Sequence, residues 1–156
     1  MLRTRRELIT GATALVGLAA VPPAWGQRLL SGPARVGPGR FLDGVASGDP
    51  APSQITLWSR LTTDRPRTGA RVVVARDASM QSVVADAVVP TGAATDHCLK
   101  TRIGGLEPGT QYFYVWESGD DVSPVGRTRT ANAPGAGDRV RLAVSSCQNY
   151  SRGYFT

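Results

Sequence analysis

The sequence has a single lysine, Lys100, and a single histidine, His97, in 156 residues, so its positive charge is almost wholly arginine. Those arginines form no stripe and are not interleaved with aromatics, which make up only 6% of the chain. A nucleic-acid surface needs clustered cations, and that class is excluded. No apolar run reaches the length of a membrane span. The longest uncharged one, residues 8–21, is short of the roughly 20 residues that a helix needs to cross a bilayer. Repeats and anchors are also missing, which argues against a structural cell-surface protein. With 41% hydrophobic and 19% charged residues, the composition is that of a globular chain. Its length suits one complete core and little more.

The formal charge is +6, and Arg3, Arg5 and Arg6 contribute half of that within the first six residues. Residues 1–26 have the three parts of an export signal: a basic start, the apolar run, and a small-residue close at Ala24-Trp25-Gly26 after Pro22-Pro23. Cleavage is expected after Gly26. Thr4-Arg5-Arg6-Glu7-Leu8-Ile9 fits the twin-arginine pattern, and Gly11, Thr13 and Gly17 dilute the run as that pathway prefers. The competing reading is a general secretion signal with two adjacent arginines. Without residues 1–26, fifteen basic and eleven acidic side chains remain, an ordinary solvated surface.

Eighteen glycines and eleven prolines favour turns and short strands over long helices. Residues 27–40 read as an extended lead-in. Strand signals then recur over 55–61, 70–76, 83–89, 97–103, 111–117 and 125–130, at spacings of about ten residues. In the first, Ile55, Leu57, Ser59 and Leu61 alternate with Thr56, Trp58 and Arg60. In the fourth, Cys98, Lys100 and Arg102 oppose Leu99, Thr101 and Ile103. Tyr112, Tyr114 and Trp116 share one face of the fifth, which reads as a packed sheet face rather than a ligand platform. The pattern predicts an antiparallel β-sandwich over 41–131.

Its sharpest local marker is Gly105-Leu-Glu-Pro-Gly-Thr-Gln-Tyr112. This resembles the leucine–proline–glycine corner leading into a tyrosine strand of fibronectin type III-like domains. There the Pro-Gly pair redirects the chain, and a tyrosine hydroxyl ties back to backbone. Residues 132–138 read as a linker. Over 139–147 the apolar centre Leu142-Ala-Val144 predicts a strand buried on both faces, the start of a layered α/β domain over 139–156.

Three stretches together resemble the PhoD-type alkaline phosphatase / phosphodiesterase family. Phe41-Leu-Asp-Gly-Val-Ala-Ser-Gly-Asp-Pro50 with Thr56-Leu-Trp-Ser-Arg60 is similar to its opening signature. Gly105–Tyr112 with Ser123–Thr130 resembles the end of its small β-domain, and Leu142–Tyr150 with Gly153-Tyr154-Phe155 the first strand and loop of its phosphoesterase domain. The leader fits too.

The resemblance implies an exported hydrolase of phosphate mono- or diesters that uses Fe(III) and Ca²⁺, with Cys147 as an iron ligand. From the residues alone, Cys147 reads equally as an inert thiol or as half of a bridge to Cys98. Asp43 and Asp49 lie near a glycine-rich turn and read as loop caps. His97 matches no metal motif of the family, and the remaining ligands are expected after residue 156. One thiolate cannot hold a multi-metal cluster, so the 156-residue chain is expected to be inactive alone. The rival reading is a freestanding secreted fibronectin-like module that binds sugar or protein. The two differ at 139–147, where a freestanding sandwich has no use for a buried-type strand ending in a cysteine loop.

Overall fold

A computed structural model describes residues 35–137 together with 139, 141, 143 and 144. The described residues form seven strands: β1 Val45–Ala51, β2 Gln54–Arg60, β3 Arg67–Ala75, β4 Val83–Gly92, β5 Cys98–Gly104, β6 Gln111–Glu117 and β7 Gly126–Arg129. All pairings are antiparallel, in a three-stranded sheet β1-β2-β5 and a four-stranded sheet β4-β3-β6-β7. This is the antiparallel sandwich that the strand spacing predicts, of the fibronectin type III-like kind that the Gly105–Tyr112 corner resembles.

The period-two patterns decide which face packs. Ile55, Leu57, Leu61, Leu99 and Ile103 point in from the smaller sheet. They meet Val72, Val74, Tyr112, Tyr114 and Trp116 from the larger one, while Phe41 and Leu106 close the ends. Trp116 is fully buried, and an aromatic of its size removes about 150–250 Å² from water. At roughly 25 cal/mol per Å², that one side chain contributes up to about 4–6 kcal/mol before entropy is counted. The aromatic row of β6 is therefore core, as its alternation indicates.

Six strands fall where the sequence places them, and β1 is the addition. Its residues Val-Ala-Ser-Gly-Asp-Pro-Ala carry one β-branched side chain, and Asp49 sits at φ 50° where the register shifts between Gly48 and Ala51. An edge strand tolerates both the bulge and Pro50, because its outer N–H groups have no ladder to make. The same reason corrects β4: it runs through Pro90 to Gly92 instead of closing there, since β4 is the other sheet's edge. His97 is not in β5. It follows a 3₁₀ turn at Ala93–Thr95, and both Asp96 and His97 take positive φ (49° and 52°) to turn the chain into the strand.

The described part of the lead-in is tied to the sandwich. Arg40 and Thr62 exchange backbone hydrogen bonds at 2.9 and 2.8 Å, and the Gly37 N–H donates to the Gly69 carbonyl at 3.1 Å. At the other end, the Ala131 N–H donates to the Ala51 carbonyl at 3.2 Å, and the chain then leaves through an exposed turn holding Gly135 and Gly137 at positive φ. Much of the expected strand 139–147 lies outside the described residues. Arg139, Arg141, Ala143 and Val144 are described; all are exposed, and none is in a strand. Among the described residues no helix is long and apolar enough to cross a membrane.

Candidate functional site

The structure puts the candidate site residues in separate places. Cys147 lies outside the described residues. Cys98 opens β5 with a free, partly buried thiol, on the same face of the strand as Lys100 and Arg102. Asp43 and Asp49 do not converge. Asp43 accepts from Arg60 Nη1 at 3.0 Å, and Asp49 accepts from Arg102 Nη2 at 2.7 Å. Arg60 is further gripped by Asp96, which accepts from its Nε at 3.1 Å and its Nη2 at 2.9 Å. The fork geometry of guanidinium and carboxylate makes such a clamp directional. It holds the Asp96 carboxyl below its ordinary range. His97 stands beside it with Nδ1 buried and without a hydrogen-bond partner. Among the described residues no three of His, Cys, Asp and Glu group to hold a metal ion. The described residues by themselves therefore supply no complete iron or calcium site.

What the fold does assemble is a corner and a face. At the corner, the Glu107 N–H donates to the Tyr112 hydroxyl at 2.9 Å. Thr130 Oγ1 donates to the Glu107 carbonyl at 2.6 Å, and Leu106 is buried beneath. The Arg76 guanidinium lies 5.8 Å from the Tyr112 ring centroid and pairs with the Glu107 carboxylate. That pairing lowers the Glu107 pKa and raises that of Arg76.

The face is the outer side of the three-stranded sheet. Register sets Trp58 between Ala46 on β1 and Lys100 on β5, and Thr56 between Gly48 and Arg102. Side chains directly across an antiparallel pair lie on one side of the sheet. The result is an open groove with the indole of Trp58 at its centre and Lys100 and Arg102 along one margin. Sequence reasoning places Trp58 and Lys100 each on the correct side of its own strand. It misses that they are neighbours, because β2 and β5 are separated by two strands of the other sheet.

The sequence profile of the family described as "PhoD-like phosphatase, N-terminal domain" matches residues 27–132. The chain belongs to that family. It is 32% identical over 164 aligned positions to alkaline phosphatase D of Bacillus subtilis strain 168, an alignment covering 97% of this chain and 28% of the relative. A solved structure titled "Structure of PhoD" superposes with a TM-score of 0.57 at 34% identity, covering 60% of this chain and 19% of that one. A fibronectin type III domain of human collagen alpha-1(XX) gives a TM-score of 0.41 at 17% identity, over 73% of this chain and 99% of that domain. The PhoD-like match thus falls on the sandwich and its lead-in. The chain spans just over a quarter of the length of the curated relative that it matches.

Proposed function

We propose that this chain is the leading part of an exported, metal-dependent phosphoesterase that hydrolyses phosphate mono- or diesters. The observation that carries this reading is the likeness to alkaline phosphatase D along 97% of the chain, set against coverage of only 28% of that relative. Among its described residues the sandwich groups no three of His, Cys, Asp and Glu to hold a metal ion, and in this reading the metal chemistry belongs to the rest of the longer protein.

Cys147 is the one residue of this chain assigned to that chemistry. It closes the stretch 139–147, after the apolar centre Leu142-Ala-Val144, and a thiolate at the carboxyl end of a buried strand stands where α/β folds gather their sites. Bound to ferric iron it would stay deprotonated, because the metal lowers its pKa. Iron and calcium together would orient a phosphate and neutralise its charge. Export rests on Arg5-Arg6 and the diluted apolar run after them. The twin-arginine machinery carries folded proteins, which suits a metal loaded before transit, and the mature protein would work in the periplasm or outside the cell.

The test is to read the gene past the codon for Thr156, express its complete product, and assay p-nitrophenyl phosphate and bis(p-nitrophenyl) phosphate with and without added iron and calcium. Metal-dependent release of nitrophenolate by the complete product, and none by residues 1–156 alone, is the expected result. A complete product that hydrolyses neither ester defeats the proposal.

A further inference from the structure

We infer that two copies of this chain join edge to edge through β4, in antiparallel register about a two-fold axis at Asp86. This goes beyond the enzymatic reading and does not depend on it.

Three observations carry it. The first is a contrast among the sheet edges. An open edge offers unpaired N–H and C=O groups to another strand, and native edges are shortened, charged or bulged to discourage pairing. Three of the four edges here have such a device. β1 breaks register between Gly48 and Ala51 and carries Pro50. β7 has four residues, two of them Arg127 and Arg129. β5 carries Lys100 and Arg102. β4 is the exception. At ten residues it is the longest described strand, and it has no lysine or arginine. Its register shifts once, at the start of the strand opposite the Val74–Ala75 step, and Pro90 stands near its far end. Between Ala85 and Pro90 the ladder to β3 is unbroken. Val84 and Val88 are 41% and 42% exposed. Thr91 Oγ1 donates to the Cys98 carbonyl at 2.9 Å and so ties down only the last turn of the edge. Among the described residues no strand pairs with the other side of β4.

The second is the direction of the backbone groups. Pro90 lies opposite Gly69 and has no N–H to give to β3, so its backbone faces the open side. Direction alternates along an antiparallel ladder. Val88 and Asp86, in step with Pro90, therefore aim their N–H and C=O groups outward as well.

The third is the strand's own sequence. Val83-Val-Ala-Asp-Ala-Val-Val89 reads the same in both directions, with Asp86 at its centre. A two-fold contact requires that residue i meet residue j while j meets i. Antiparallel pairing of this segment with itself satisfies that at every position: Val84 of one copy lies opposite Val88 of the other, Ala85 opposite Ala87, and Asp86 opposite Asp86. The outward groups of residue 86 then exchange both hydrogen bonds with their equivalents. Like charges directly opposite would oppose the pairing. Each Asp86, however, is already held by Arg71, whose Nε lies 2.8 Å from its Oδ2, so two ion pairs meet at the axis rather than two bare carboxylates.

Sedimentation velocity of the complete gene product across about 1–100 µM tests this, and a concentration-dependent dimer is the expected result. Val84→Lys and Val88→Lys place the usual edge guard at exposed positions. Each should weaken association by about tenfold or more with the unfolding midpoint unchanged. Oxidative trapping reads the register. Asp86→Cys should give a dimer linked through residue 86, because the Cα atoms of such a pair lie about 5.5 Å apart, within disulfide reach. Val84→Cys should not link to itself, since its two copies would stand about 13 Å apart. Peptide mass mapping separates these links from any made by Cys98 or Cys147. A monomer at every concentration, a dimer that both lysine variants leave intact, or a link between two copies of residue 84 overturns the inference. Should a lysine variant fail to fold, the trap at residue 86 decides: a linked dimer upholds the pairing, and its absence overturns it.

Discussion

The Tyr112 hydroxyl accepts the Glu107 backbone N–H at 2.9 Å, closing the corner between β5 and β6. Tyr112 is 1% exposed, so its ring is core and its hydroxyl is the only part doing polar work. Tyr112→Phe keeps the ring and strands the amide. The expected cost is about 1 kcal/mol, toward the lower end for a partly buried donor left without its partner. Urea unfolding followed by tryptophan fluorescence reads it directly. A loss below about 0.5 kcal/mol would mean that water replaces the hydroxyl at no cost.

Gly126 faces the ring of Tyr114 across the β6–β7 pair. A Cβ there would lie 2.3 Å from the ring's Cζ. Gly126→Ala is therefore expected to destabilise the sandwich by about 1–3 kcal/mol through overpacking. Gly104→Ala is the matched control, with nothing within 4 Å of its added methyl, and it should leave the unfolding midpoint nearly unchanged. Equal effects from the two variants would show that the ring yields.

That corner also shows how much of the fold the sequence makes legible. The Leu106, Pro108-Gly109 and Tyr112 spacing announces the turn, the buried leucine and the hydroxyl tie-back, because all three are local chemistry. Strands such as β2 and β6 read clearly for a related reason: period-two burial is written in adjacent residues. β1 does not announce itself, since Ala46, Ser47, Gly48 and Pro50 have poor strand propensity and the edge position, not the residues, permits the pairing. The neighbours Trp58 and Lys100 are illegible for a third reason. Their contact depends on which strands pair, and that is settled by the closing of two sheets around one core. The pairing of Asp43 and Asp49 with Arg60 and Arg102 follows from the same long-range register.

The turn after β3 is held by one carboxylate. Asp77 accepts from Ser79 Oγ, from the Gln81 N–H at 3.1 Å and from the Ser82 N–H at 2.7 Å. The Ser79 hydroxyl first, then the two amides, hold its pKa well below the ordinary 3.8. A depressed folded pKa gives stability that is present above the unfolded value and is lost as pH falls through the folded one. Hydrogen exchange in residues 76–82 should therefore accelerate as pH is lowered below about 4, after correction for intrinsic rates. Asp77→Asn should show raised exchange already at neutral pH and a flatter acid dependence. A loop indifferent to both changes contradicts the assignment.

Glu117 behaves in the opposite sense. Burial is the main influence and pushes its carboxyl above the ordinary 4.5, with the Arg71 guanidinium pulling partly against it. A raised folded pKa means that the folded state holds the proton more tightly. Its contribution is full in acid and declines as pH rises from the unfolded value through the folded one. Glu117→Gln should remove that decline, so the stability difference between variant and parent grows in the variant's favour between pH 4.5 and neutrality. Denaturant midpoints measured across that range check the sign, and a difference moving the other way would show that the Arg71 pair dominates.

In the proposed phosphoesterase, Cys147 is a thiolate ligand to iron and the remaining ligands lie in the rest of the longer protein. Replacing Cys147 by Ser in the complete gene product, and measuring bound iron by mass spectrometry alongside nitrophenolate release, examines that claim on one sample. Iron content and hydrolysis should fall together while the unfolding transition of the β-sandwich stays where it was. Full iron loading and full hydrolysis in the serine variant would contradict it.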